Sequence, residues 1–198
     1  MKTIILFSLA FILCVFSSDS ASDPVLDAFG KNLHAGVKYY ALPAAGYGEY
    51  GGLVLKTGNR SCPAEVAQSR GDDNGLPLTF TPVNPKKGVI RLSTDVNVKF
   101  SGPTSCHQSN IWKLKYDKAM KEYAVVVGGV EGNPGPKTLD NWFKIEKTNV
   151  GYKFVFCPSV CSYCKKVMCR NVGIVLDEDG VQRLALSDDP SSYFFYRV

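Results

Sequence analysis

The residues with the most chemical potential in this chain are its cysteines. Cys62, Cys106, Cys157, Cys161, Cys164 and Cys169 lie in the body of the sequence, while the seventh, Cys14, lies in an apolar N-terminal stretch. An even set in an oxidising compartment reads as three disulfides. Cys62 and Cys106 stand apart from the C-terminal four. Joining them would close a loop worth about 4 kcal/mol in the chain-entropy view, and the remaining four thiols can pair in more than one way. Cys161-Ser162-Tyr163-Cys164 also has the spacing of a metal knuckle or a redox pair. Zinc ribbons separate their cysteine pairs more widely, and redox pairs belong to reducing folds, so no metal and no cofactor are expected.

Other chemistry is scarce. His34 and His107 are the only imidazoles, and the sequence has neither a G-x-S-x-G elbow nor an H-E-x-x-H helix, so no catalytic residues and no enzyme are expected. Gly46-Tyr47-Gly48-Glu49-Tyr50-Gly51 matches a phosphate-binding string. Such a site needs a strand before it and a helix after it, whereas here a strand follows, so the string reads as a turn. Arg70-Gly71-Asp72 matches an adhesion tripeptide that occurs too often by chance to use. Asp72-Asp73-Asn74-Gly75 and Asp177-Glu178-Asp179-Gly180 lack the full ligand series of a calcium loop and also read as turns. Asn59-Arg60-Ser61 is a glycosylation acceptor sequon in a polar loop.

One segment is suited to binding. Phe80 to Arg91 carries Pro82 and Pro85, then Lys86-Lys87, and lies inside the loop that Cys62 and Cys106 would close. An exposed extended segment with φ fixed at two prolines loses little entropy on docking, as a substrate mimic must. Lys86 would suit a protease pocket with an acidic floor. The plain alternative is a solvated hairpin tip with ordinary lysines, and spacing alone favours it.

The elements that would hold these residues are strands. Val96-Asn97-Val98-Lys99-Phe100, Trp112 to Tyr116 and Tyr152 to Phe156 alternate apolar with other residues, so each presents one face inward. Further strands are expected at 38–42, 52–55, 76–81, 89–92, 123–127, 142–147, 173–176, 183–186 and 193–197. Gly132-Asn133-Pro134-Gly135-Pro136 reads as a rigid loop. About twelve short strands without a linker indicate one all-β domain, and counting alone does not choose among barrel, sandwich and trefoil.

The chain has 198 residues, 45% of them hydrophobic and 21% charged, which excludes a disordered or fibrous protein. The net charge of +5 is spread out, with no basic run longer than a lysine pair, so nucleic acid is not an expected partner. Lys2, the apolar stretch Ile4 to Phe16 and the small residues that follow form a secretory signal peptide over 1–22, cleaved after Ser20 or Ser22. The apolar stretch is too short to span a bilayer. The expected mature protein, 23–198, is secreted and has no membrane partner.

Several motifs resemble, in order along the chain, the plant Kunitz inhibitors of the soybean trypsin inhibitor type. They are Pro24-Val25-Leu26-Asp27, Tyr39-Tyr40-Ala41-Leu42-Pro43, Cys62-Pro63, Ser93 to Phe100, Ile111-Trp112-Lys113-Leu114, Gly128 to Gly135, Asn141 to Lys147 and Phe156-Cys157-Pro158. Cys157 to Cys169 with Val172-Gly173-Ile174 is similar to the miraculin-like subgroup. The resemblance implies a β-trefoil of twelve strands in three pseudo-repeats, stapled by Cys62–Cys106, Cys157–Cys169 and Cys161–Cys164. It also implies an inhibitor that presents a reactive-site loop, Asn84-Pro85-Lys86-Lys87-Gly88, to a protease, with Lys86 at the primary specificity position.

The implied partner is a trypsin-like serine protease, or alternatively a serine carboxypeptidase or cysteine protease, and the setting is plant defence or control of an endogenous protease in the apoplast. Two residues depart from the inhibitory pattern. Ala35 stands where inhibitory members brace the loop with Asn, and Lys87 follows the scissile bond where an apolar residue is usual. The alternatives are a non-inhibitory binding or storage protein, or an inhibitor of another protease class acting through Lys165-Lys166. The stretch Lys147-Thr148-Asn149-Val150 lacks the interchain cysteine of a covalent dimer, so a monomer is expected.

Overall fold

The computed structural model describes residues 22–46, 48–57, 62–102, 108–164 and 167–198. Among them are twelve strands: β1 (Tyr39–Pro43), β2 (Tyr50–Lys56), β3 (Glu65–Arg70), β4 (Leu78–Pro82), β5 (Val96–Phe100), β6 (Trp112–Asp117), β7 (Glu122–Val127), β8 (Lys144–Lys147), β9 (Tyr152–Phe156), β10 (Arg170–Leu176), β11 (Gln182–Leu186) and β12 (Tyr193–Arg197). A 3-10 helix, Pro136–Asn141, leads into β8 and begins within the segment expected to be a rigid loop.

Six strands close a ring. β12 pairs with β1 over five residues, from Tyr39 opposite Arg197 to Pro43 opposite Tyr193. β1 meets β4 at Tyr39 and Leu78, and β4 pairs with β5 from Leu78 opposite Phe100 to Pro82 opposite Val96. Val96 then bridges to Phe143 at the entrance to β8, β8 pairs with β9, and β9 returns to β12 at Tyr152 and Tyr193. A closed ring leaves no unpaired edge to recruit another chain.

The other six strands are three hairpins, β2–β3, β6–β7 and β10–β11, that converge on one another over one end of the ring. β3 touches β7 at Glu65 and Val126, β7 touches β11 at Ala124 and Ala185, and β11 touches β3 at Arg183 and Ala67. Ala67, Ala124 and Ala185 are all buried where the hairpins meet, because three backbones can converge only around small side chains. The chain is therefore a β-trefoil with pseudo-repeats β1–β4, β5–β8 and β9–β12, as the resemblance implies.

Inside the ring, rings from all three repeats pack together. Phe154 lies 5.1 Å from Trp112, 5.8 Å from Tyr193 and 6.0 Å from Phe195, and Phe80 lies 5.4 Å from Phe195. All five side chains are buried. Offset and edge-to-face contacts of this kind add to the area these rings withdraw from water.

Two strand expectations need correction. Val89–Leu92 is not a strand, since only Val89 and Arg91 make isolated bridges, to His34 and Pro24. Glu65–Arg70, not expected as a strand, is β3. Its Val66, Ala67, Gln68 and Ser69 are all buried, so no alternation marks it. The two polar members are satisfied locally, with Gln68 Nε2 donating to the Gly51 carbonyl at 3.1 Å and Ser69 Oγ to the Gly52 carbonyl at 2.9 Å.

Candidate functional site

The segment from Val83 to Asp95 joins β4 to β5 and leaves the ring at the register pair Pro82–Val96. Its base is pinned by Val83 N–H, which donates to the Asp95 carbonyl at 2.8 Å. The returning arm lies on the N-terminal strap. Val25 N–H donates to the Ile90 carbonyl, Ile90 N–H to the Leu33 carbonyl and Ala35 N–H to the Gly88 carbonyl, each at 2.9 Å. Val25, Leu33 and Ile90 are fully buried, so the arm is held by apolar packing as well as by hydrogen bonds. Asp27 shapes the strap, its Oδ1 accepting from Phe29 N–H and Lys31 N–H at 2.9 Å.

The tip stands clear of this support. Asn84, Pro85, Lys86, Lys87 and Gly88 are all exposed. Lys87 N–H donates to the Asn84 carbonyl at 3.0 Å and Lys86 N–H to Asn84 Oδ1 at 3.2 Å. Asn84 and Pro85 thus occupy the first two positions of a closed β-turn, which Asn at position i and Pro at i+1 both favour. The segment expected to be extended is folded at its tip, and Pro82 serves as the last residue of β4. Among the described residues neither lysine has a carboxylate partner. Both cations are free to meet an acidic pocket. Ala35 braces the arm through its backbone N–H alone, since its side chain has no hydrogen-bonding group.

A second loop is tied to this one. Cys157–Cys169 and Cys161–Cys164 are disulfides, which gives two of the three implied pairings. Cys62 is also disulfide-bonded. Its implied partner Cys106 lies outside the described residues, as do Asn59, Lys165 and Lys166. From inside the Cys157–Cys169 loop, Ser159 donates its N–H at 3.1 and 3.2 Å and its Oγ–H at 2.6 Å to the carboxylate of Asp95. Asp95 is only 5% exposed. It therefore holds the base of the first loop through its carbonyl and the stapled loop through its side chain, and the carboxylate makes these bonds charge-assisted. Sequence reasoning missed this residue, because partners 64 positions apart leave no local pattern.

The remaining motifs are structural. Gly51 and Gly52 lie so close to the Asp73 and Asn74 carbonyls that a Cβ would collide with them, so these glycines admit a backbone crossing rather than a phosphate. Asp177 Oδ1 accepts from Asp179 N–H at 3.0 Å and Val181 N–H at 2.7 Å, and its Oδ2 accepts from Arg183 Nε at 2.5 Å, which fixes the β10–β11 turn. Arg183 Nη1 also meets Glu65 at 2.6 Å and Asp117 at 3.4 Å. One guanidinium thus joins residues of all three repeats beside a cleft of about 870 Å3 that shares no residue with the exposed tip. Desolvation, opposed by Arg183 and assisted by Asp117 and Asp177, pushes the Glu65 carboxyl above its ordinary value of 4.5. Among the described residues no group of His, Cys, Asp and Glu side chains is placed to hold a metal ion.

Comparison with known proteins agrees with this architecture. A legume Kunitz family model described as trypsin and protease inhibitor matches residues 25–197. Miraculin of Synsepalum dulcificum is 45% identical over 192 residues, covering 92% of this chain and 86% of the relative. Kunitz trypsin inhibitor 5 of Arabidopsis thaliana is 47% identical over 187 residues, covering 92% and 89%. Among solved structures, the Kunitz-type cysteine protease inhibitor PCPI-3 from potato matches with a TM-score of 0.76 at 33% identity, covering 89% of this chain and 98% of that one.

Proposed function

The chain belongs to the Kunitz family of trypsin and protease inhibitors, and from that premise we propose that it is an exported inhibitor that offers Lys86 to the primary pocket of a serine protease. The family comprises inhibitors rather than enzymes, and protease inhibition is the activity that membership supports. The observation that carries the finer reading is the exposed Lys86, without a carboxylate partner among the described residues, at the tip of a loop whose two arms are anchored.

Docking would work by substrate mimicry. The Lys86 ammonium enters a pocket with an acidic floor, and the tip opens as Lys87 N–H leaves the Asn84 carbonyl. The bonds at Val83 and Gly88 lie on either side of the Lys86–Lys87 peptide. If that peptide is cut, they hold the new ends together, so that resynthesis competes with release. The leader at 1–22 supports export into the apoplast, where defence or control of an endogenous protease would be the role. Asn59 is a glycosylation site on the same reading.

A second reading, a non-inhibitory binding or storage protein, is favoured by Ala35, which braces the tip from the N-terminal strap through its backbone alone. Titrating active-site-counted trypsin with the oxidised protein decides between them, with Lys86→Ala, a cysteine protease and a serine carboxypeptidase in parallel. Stoichiometric trypsin inhibition that Lys86→Ala abolishes is the expected result. A folded sample that inhibits no protease would establish the second reading, and inhibition of only the other proteases would move the contact away from Lys86.

A further inference from the structure

Tyr163 is 74% exposed, within the short loop closed by Cys161–Cys164, which itself lies inside the loop closed by Cys157–Cys169. A lone exposed apolar residue needs no explanation. This one differs because its backbone is doubly tethered, so little freedom remains to be lost when the ring is covered. Rigid aromatic side chains presented in this way are the anchors that dominate protein interfaces. Among the described residues the ring lies against no other aromatic ring, and most of its surface faces water.

The loop is also fixed in place relative to Lys86. Ser159 is bound to the Asp95 carboxylate, and the Asp95 carbonyl receives Val83 N–H, three residues before Lys86. The connection runs along three residues on one side and four on the other, with two hydrogen-bonded contacts between. At about 3.5 Å per residue, with about 5 Å across each contact, the backbone path is at most about 35 Å. A partner covering about 800 Å2, as in a standard protease–inhibitor complex, is about that wide.

We infer that Tyr163 is a second contact residue for the protease that takes Lys86, so that the stapled loop and the reactive-site loop form one composite binding face joined by Asp95 and Ser159. The inference rests on the Lys86 reading above. Tyr163 would pack on the protease surface outside the primary pocket and lengthen the life of the complex, leaving Lys86 to select the target.

Trypsin is the probe, and inhibition constants and dissociation rates of Tyr163→Ala, Tyr163→Phe and Lys86→Ala are measured against wild type. Tyr163→Ala should weaken inhibition about 10-fold or more, mainly through faster dissociation, with an unchanged melting temperature, while Tyr163→Phe stays within about 3-fold. Hydrogen exchange at residues 157–164 should slow in the complex. If Lys86→Ala abolishes inhibition but Tyr163→Ala stays within about 2-fold and exchange is unaltered, the composite face is overturned and the Lys86 reading stands. If trypsin is not inhibited, or Lys86→Ala inhibits as well as wild type does, the Lys86 reading falls and takes the composite face with it.

Discussion

Asp95 shows how much one buried carboxylate can position. Both its side-chain oxygens accept from Ser159, while its carbonyl receives Val83 N–H. Asp95→Asn keeps the size but turns one acceptor into a donor facing donors, which removes the charge-assisted bonds and strands a buried polar group. The variant is expected to lose about 1–3 kcal/mol of stability by urea denaturation. Limited proteolysis should also cut the 83–95 loop faster than in wild type. An unchanged cleavage rate would mean that the arm packed on Val25 and Leu33 holds the loop without help from Asp95.

Within the elements, Glu65 on β3 carries the clearest pH dependence. Its carboxyl is raised, chiefly by desolvation, although Arg183 lies 2.6 Å away and Asp117 and Asp177 share that guanidinium. A raised folded value means that the native state holds the proton more tightly than the unfolded chain does. This contribution is full below the ordinary carboxylate value and is lost as pH rises through the raised one. Urea midpoints measured between about pH 4 and pH 7 should therefore fall less steeply in Glu65→Gln than in wild type. Equal slopes would show that the Arg183 attraction cancels the cost of burial. The same strand marks the limit of the sequence reading. Glu65–Arg70 went unseen because it is buried on consecutive residues by contacts with three other strands, whereas Val96–Phe100 and Tyr152–Phe156 declared themselves by alternation. Val89–Leu92 looked like a strand because three of its four residues are apolar, but its partner is the irregular strap rather than a ladder. The exposed Lys86 tip was legible from Pro85 and the lysine pair. Its turn was not, since Pro82 and Pro85 suggested an extended backbone until Asn84 was seen to close it.

The whole molecule depends on the shared interior of the ring. Phe154 contacts Phe80, Trp112, Tyr193 and Phe195, so every repeat has a ring against it. Phe154→Ala is expected to cost about 3–5 kcal/mol, the usual penalty for losing a buried phenyl ring and leaving a cavity. Far-ultraviolet dichroism and tryptophan fluorescence should report the same lowered urea midpoint, as one cooperative unit requires. Separate midpoints would show that a repeat unfolds on its own. The pairing of β1 with β12 has a further consequence, in time rather than in space. Synthesis delivers β1 well before its five-residue partner β12, from which ten other strands separate it. Hairpins such as β4–β5 can form while translation continues, but β1 waits until β12 has emerged before it meets that five-residue partner, and such distant pairings fold slowly. The ring closes only once β12 has left the ribosome.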